Sequence, residues 1–308
     1  MKLINKINIK DFYSTQSVIT EPGDHAALFK NLPIEVSELC RTIQGWVMHI
    51  ADESLFEYKI PSKDYAEIDS RYARVIIQKI LEKNPGNLTQ TRNIQDRIVG
   101  VCRDMALLAC SILRSRGIPA RLRVGFFDYL IPGIYLDEIF LEYWSESKEK
   151  WCIADVRMSP ELIEKYKLNI DFDLYDIPPE KFIFAEQAWN LCREGKINPR
   201  HIGSRKLRGL WYVRNSLIQS LAMFNKKEIL FWDAWGPMLP MLTLKNGKPD
   251  LPESQLKMLD ELSDFLLKNS HELSAIQTYY REHPDLQVPN QILVCNPFLK
   301  PELIEVFM

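Results

Sequence analysis

One apolar run, bounded by two stop signals, constrains this chain most. From Cys102 to Ser115 the sequence places Met105, Leu108, Ala109, Ile112 and Leu113 at i, i+3, i+4, i+7 and i+8, the spacing of a helix face. Leu107 and Cys110 add apolar surface away from that stripe, so the helix is buried nearly all round. Gly117 supplies a natural C-terminal stop and Pro119 forbids continuation. Such a helix has to be enclosed by the elements before and after it.

The preceding chain offers helices over Pro33–Ala51, with Pro33 placed for a first turn, and over Asp69–Leu81. A polar connection between Asn84 and Arg97 leads to the central helix. Three strands are expected after it. Ala120–Phe127 alternates Leu122, Val124 and Phe126 against Arg121 and Arg123, and Glu138–Trp144 and Trp151–Val156 form a hairpin across the charged turn Ser145–Lys150. The loop Asp128–Asp137, which contains Pro132-Gly133, is expected at the functional site. From Pro160 onward the chain reads as mostly helical, over Pro179–Glu194, Leu210–Asn225, Glu253–Lys268 and Leu273–His283, punctuated by the aromatic run Phe231–Pro237. No flexible linker is evident between Val156 and Asp176. The expected organisation is an α+β core over 86–178, with a helical part over 1–85 and another over 179–308 packed on it.

At 308 residues the chain can bury a sizeable core. A net charge of −2 and a pI near 6.3 argue against a nucleic-acid or polybasic membrane binder. Met1–Lys10 alternates charged and apolar residues and lacks the continuous apolar run of a signal peptide. No window approaches the roughly 18 apolar residues of a membrane span. The cysteines (Cys40, Cys102, Cys110, Cys152, Cys192 and Cys295) are scattered without a CxxC, which suggests neither a zinc site nor a disulfide framework. The expected setting is therefore reducing and cytoplasmic. No metal or organic cofactor is signalled, and the oligomeric state is left open.

The chemistry gathers at Gly100-Val101-Cys102-Arg103-Asp104, where a loop turns into the apolar helix. A thiol at a helix N-terminus sits at the positive end of the helix dipole, which lowers its pKa and makes it a better nucleophile. Arg116-Gly117-Ile118-Pro119-Ala120-Arg121 then turns into a strand, and Asp137–Trp144 and Trp151–Asp155 complete the hairpin. This order of parts resembles the transglutaminase-like superfamily, which has a papain-like fold. Gly209–Asn215 and Trp232–Gly236 extend the resemblance, over roughly residues 20–290, to a bacterial branch of transglutaminase-domain proteins.

The resemblance implies a Cys that attacks an acyl carbon, a His on the next strand that relays the proton, and an Asp on the following strand that orients the His. Cys102 and Asp155 fall on two of these positions. The third falls on Glu138, within Asp137-Glu138-Ile139-Phe140, where the family shows Asp-His before an aromatic residue. That exchange changes the physics. An imidazolium lowers a neighbouring thiol pKa, whereas a carboxylate repels the thiolate. Two adjacent carboxylates can instead share a proton, titrate as a unit and donate to a leaving group.

The candidate catalytic residues are therefore Cys102, Glu138 and Asp155, with first-turn amides of the Cys102 helix as oxyanion donors. Cys110 belongs to the core. Of the histidines, His25, His271 and His283 read as structural, while His49, on the Pro33 helix, and His201, in a basic loop, are the candidates to replace the missing base. The basic run Arg200-His201, Arg205-Lys206, Arg208 and Arg214 could hold a carboxylate or phosphate. Arg214, Trp211 and Trp235 are the candidate substrate-binding residues. The implied function is cysteine-dependent acyl transfer or amide hydrolysis on a small-molecule or peptide acyl substrate. The alternatives are a silent member that binds a peptide or acyl ligand, and a carboxylate-based acid–base enzyme on the same fold.

Overall fold

The computed structural model describes residues 8–242 and 251–306, so part of the Met1–Lys10 segment discussed above lies outside the described residues. In chain order come α1 (Ile9–Ser14), α2 (Val36–Gln44), β1 (Val47–His49), α3 (Glu53–Phe56), α4 (Ala73–Lys83), β2 (Ile98–Gly100), α5 (Cys102–Ser115), β3 (Ala120–Phe127), β4 (Tyr135–Ser145) and β5 (Lys150–Ala154). Then follow α6 (Pro160–Tyr166), β6 (Phe182–Phe184), α7 (Ala185–Arg193), β7 (Ile202–Gly203), α8 (Leu210–Phe224), β8 (Asp233–Ala234), α9 (Glu253–Asn269), α10 (Leu273–Glu282), β9 (Gln291–Val294) and β10 (Glu302–Glu305). The class is α+β. Two compact units are present. The cysteine-bearing unit comprises residues 14–122 and 138–181, and the second comprises the described residues within 1–13, 123–137 and 182–308.

In the cysteine-bearing unit, every residue of α5 from Cys102 to Arg114 is buried, the polar Arg103, Asp104, Ser111 and Arg114 along with the apolar stripe. α2 and α4 pack against it. Its two buried arginines are anchored. Arg103 donates to the carbonyls of Ser70 and Arg71 and to Asp104, and Arg114 donates to the Ala120 carbonyl and Thr20 Oγ1. The turn that ends the helix is locked by Arg116, whose guanidinium reaches the carbonyls of Pro33, Phe29 and Leu32. The β4–β5 hairpin closes across the charged turn, with Ser145 opposite Lys150 and Leu141 opposite Ala154. Arg121 at the start of β3 is fully buried, ion-paired with Glu142 and stacked at 5.0 Å on the Trp151 ring.

The expected helix over Pro33–Ala51 is shorter than its periodicity suggests. α2 stops at Gln44, Trp46 turns inward to donate to the Leu88 carbonyl, and Val47–His49 becomes β1, a parallel partner of β2. Trp46, Val47 and Met48 are all buried, a continuous apolar run suited to a strand enclosed on both faces. His49 therefore lies on a strand, directly opposite Gly100.

In the second unit, the later residues of β3 pair with β6, and Tyr135 and Leu136 of β4 pair with β7. The expected helix over Pro179–Glu194 begins only at Ala185, because Phe182–Phe184 pairs antiparallel with Phe127–Gly125. Both faces of β3 are buried, and Arg123 is accommodated by Glu186 at 2.7 Å and the Phe184 ring at 3.7 Å. α7, α8 and α9 pack together, and β8, β9 and β10 form an antiparallel sheet in the order β10-β9-β8. Among the described residues no helix is long and apolar enough to cross a membrane.

Candidate active site

Cys102 is the first residue of α5 and is 5% exposed. Val101 precedes it in an extended conformation, and its amide donates to Asp104 Oδ2 at 3.0 Å, so Asp104 closes the helix start from within the first turn. Burial raises the Asp104 pKa to about 6 against the pull of Arg103 and the Val101 amide. Gly100 is needed for a steric reason. A Cβ there would lie 2.7 Å from Val47 Cγ1 and 3.1 Å from Asp104 Oδ2. The glycine thus lets β1, β2 and the start of α5 meet.

Asp155 follows β5 and is fully buried. Its amide donates to the Leu174 carbonyl at 2.9 Å, and its Oδ1 accepts the amides of Arg157 and Met158, each at 2.9 Å. Asp155 therefore caps the turn that follows the strand. Gln44 clamps the same turn from α2 by donating Nε2 to the carbonyls of Val156 and Met158. Glu138 is 1% exposed, and its Oε1 accepts the Ile139 amide at 3.2 Å. Burial pushes the Cys40 thiol up, and the nearby Asp155 pushes it further.

The residue that sequence reasoning missed is Arg157. It is 8% exposed, and its Nη2 donates to Asp52 Oδ1 at 2.8 Å. Burial alone would lower its pKa, but the charges of Asp52, Glu138, Cys102 and Asp155 raise it above the ordinary arginine value. One buried guanidinium is thus coupled electrostatically to the thiol and to both candidate carboxylates. The available signal was a cation two residues beyond a strand-end Asp, but its buried partner Asp52 lies far away in the sequence.

A cleft of about 180 Å³ opens in the same unit, lined by Gln44, Val47, His49, Asp52, Met105 and Arg157 among others. Cys102, Glu138 and Asp155 are absent from its lining. His49 Nδ1 accepts the Ala51 amide at 3.1 Å. His201 is exposed in the second unit.

The other candidate residues also lie in the second unit. Arg214 is fully buried, bonded to Asn215 Oδ1 and the Met238 carbonyl, and burial lowers its pKa to about 10. Trp211 donates to the Arg208 carbonyl, and Trp235, 3% exposed, donates to the Leu286 carbonyl. Among the described residues no group of three or more His, Cys, Asp and Glu side chains is arranged to hold a metal ion.

Residues 63–156, which carry Cys102, Glu138 and Asp155, match the model of the transglutaminase-like superfamily core. That is the superfamily which the sequence motifs resemble. Among solved structures, one described as a "putative cysteine protease" from Cytophaga hutchinsonii is similar at 19% identity, covering 56% of this chain and 49% of its own, with a TM-score of 0.20. The chain therefore spans about half the length of that protein. No curated protein matches the chain.

Proposed function

We propose that this chain is a cysteine-dependent acyl-transfer or amide-hydrolysing enzyme with an altered site, in which Cys102 is the nucleophile, Glu138 moves the proton and Asp155 positions the Arg157 guanidinium. The observation that carries this reading is geometric: Cys102 opens the buried helix α5, and Asp155 Oδ1 accepts the Arg157 amide and so seats a buried guanidinium in the same unit. Two carboxylates beside a thiol oppose its ionisation. A buried cation among them restores part of the stabilisation that an imidazolium would give. The positive end of α5 adds to it.

In this reading the Cys102 proton passes to the Glu138 carboxylate as the sulfur attacks the acyl carbon. The oxyanion is held by first-turn amides of α5. The C–N bond then breaks, Glu138 returns the proton to the departing amine, and a thioester remains on Cys102. Water or an acceptor amine attacks that thioester, releasing the acyl product and regenerating the thiol. Asp155 shapes the turn that carries Arg157, so its role is to position the cation.

A second reading is favoured by a different observation: none of the three residues lines the cleft, so the chain could bind an acyl or peptide ligand without turnover. Turnover of a panel of peptide amides and thioesters separates the two. The enzyme reading expects activity that falls about 10³-fold or more in both Cys102→Ala and Glu138→Gln. Absence of turnover, with an intact fold and binding of a peptide amide from the panel, supports the silent reading. Activity kept in Cys102→Ser but lost in Glu138→Gln would point to carboxylate acid–base chemistry instead.

A further inference from the structure

We propose that the cleft in the cysteine-bearing unit is a carboxylate-recognition subsite, in which Arg157, with Arg97 and Arg41, takes the free carboxylate of a short acidic acyl group. That the ligand is an acyl group passed to Cys102 rests on the thiol chemistry proposed above; the binding of a carboxylate does not. Three arginines line the cleft, Arg41, Arg97 and Arg157, against two carboxylates, Asp52 and Glu161. Asp52 is already engaged by Arg157 Nη2 at 2.8 Å, which leaves the exposed Glu161 against Arg41 and Arg97.

The second observation is at Arg157 itself. Its side chain is more than nine-tenths buried, yet Nε has no hydrogen-bond partner. A buried donor left unsatisfied is costly, and the same guanidinium lines the cleft, where a carboxylate would meet its charge and bond to its accessible nitrogens. Arg97 stands on the same wall. Its Nε and Nη1 are spent on the carbonyls of Arg92 and Gln44, and its guanidinium stacks at 5.2 Å on the Phe56 ring, which fixes its charge in place. His49 adds a polar ring.

Size and polarity narrow the ligand. About 180 Å³ corresponds to about six water volumes, room for a chain of a few carbons and one carboxylate. Val47, Leu55, Phe56 and Met105 supply the apolar wall that such a chain would cover. Met105 lies one helical turn beyond Cys102, and His49 is paired with Gly100, so the cleft adjoins the helix start that holds the thiol. A four-carbon dicarboxylate, bound by one end, fits these features.

The test uses the full chain and two alkylating agents of nearly equal size, anionic iodoacetate and neutral iodoacetamide. Cys102→Ser is used to subtract the other thiols, and glutathione sets the intrinsic rate ratio. The expected result is an iodoacetate-to-iodoacetamide ratio at Cys102 about tenfold above that of glutathione, falling about two- to fivefold in the exposed-site variant Arg41→Gln. Succinate should slow iodoacetamide labelling while succinamide does not. A ratio equal to that of glutathione, with no protection by succinate, overturns the subsite and leaves the thiol chemistry standing. If Cys102 is inert to both reagents, the thiol reading fails and calorimetry decides the subsite. Succinate binding near 1 mM without succinamide binding supports it, and no binding of succinate up to about 10 mM overturns it.

Discussion

Arg157 and Asp52 form a buried ion pair, with Nη2 2.8 Å from Oδ1 and both side chains under one-tenth exposed. Removing one partner of such a pair strands a charge in a low-dielectric site, whereas replacing both with apolar groups is often neutral. Asp52→Ala should therefore destabilise the protein by about 2–4 kcal/mol. The double variant Asp52→Leu with Arg157→Met should be less destabilised than Asp52→Ala alone. Urea unfolding of the three proteins checks this. Equal losses in the single and double variants would mean that the pair is not an energetic unit.

The same guanidinium should be visible in the reactivity of Cys102. Arg157→Gln removes the cation and leaves Glu138 and Asp155 to repel a thiolate, so the alkylation midpoint of Cys102 should rise by about one unit or more. At neutral pH that is about a tenfold slower reaction. Glu138→His should move the midpoint the other way. The measurement is favourable because burial raises the thiol pKa of Cys40, Cys152, Cys192 (to about 12) and Cys295, and Cys110 is fully enclosed. An unchanged midpoint in Arg157→Gln would remove Arg157 from the electrostatics of the thiol.

Asp104 gives the fold a pH dependence of unusual sign. Its folded pKa is raised by burial to about 6, from an ordinary value of 3.8. Below about pH 4 both the folded and unfolded chains hold the proton. Between about pH 4 and 6 the folded protein binds more protons than the unfolded chain, so this residue's contribution falls as pH rises. Above about pH 6 the full cost remains, on the order of 3 kcal/mol. Asp104→Asn keeps an acceptor for the Val101 amide and does not titrate. Urea unfolding from pH 4 to 7 should show wild type losing stability relative to Asp104→Asn across that window. A parallel pair of curves would contradict the assignment.

Much of this architecture was legible because its signals are local. The boundaries of α5 and β3 follow from the Cys102–Ser115 periodicity, the Gly117 stop and the alternation after Pro119, and the β4–β5 hairpin follows from the charged turn between them. What the sequence hid depends on distant partners. β1 reads as the end of a helix because its strand character comes from pairing with Ile98–Gly100, which no short window contains. The same pairing moves His49 from a helix face to the strand position opposite Gly100. Arg157 looks like an ordinary strand-end cation until Asp52 is brought against it. A strand-end Asp capping the following turn is legible in Asp155, but that the cap positions Arg157 is not, since Asp52 and Glu138 lie far away in the sequence.

Arg116 illustrates why a motif arginine is not a generic cation. Its two terminal nitrogens reach three carbonyls, those of Pro33 at 2.6 Å, Leu32 at 2.8 Å and Phe29 at 3.1 Å. A lysine keeps the charge but cannot span the three acceptors with a planar fork. Arg116→Lys should cost about 1–3 kcal/mol, because carbonyls that accepted charge-assisted bonds lose them. Thermal unfolding checks the value. A loss no larger than that of an exposed arginine variant such as Arg205→Lys would show that the clasp does not contribute to stability.

Gly100 and Gly117 should fail for different reasons when changed to alanine. Gly117 has φ +73° with nothing within 4 Å of a new Cβ, so its cost is conformational and about 1 kcal/mol. Gly100 has an ordinary φ, but its new Cβ would meet Val47 Cγ1 at 2.7 Å and Asp104 Oδ2 at 3.1 Å. The clash must push β1 from β2 or disturb the cap that holds Cys102, at about 1–3 kcal/mol. Only the Gly100 variant should also change the alkylation rate of Cys102, because only its clash reaches the helix start. Val47→Ala removes the closest atom, so the double variant Gly100→Ala with Val47→Ala should recover part of that rate even though each change alone is destabilising. If the rate in Gly100→Ala matches wild type, the packing of β1 against β2 and Asp104 does not set the position of the thiol.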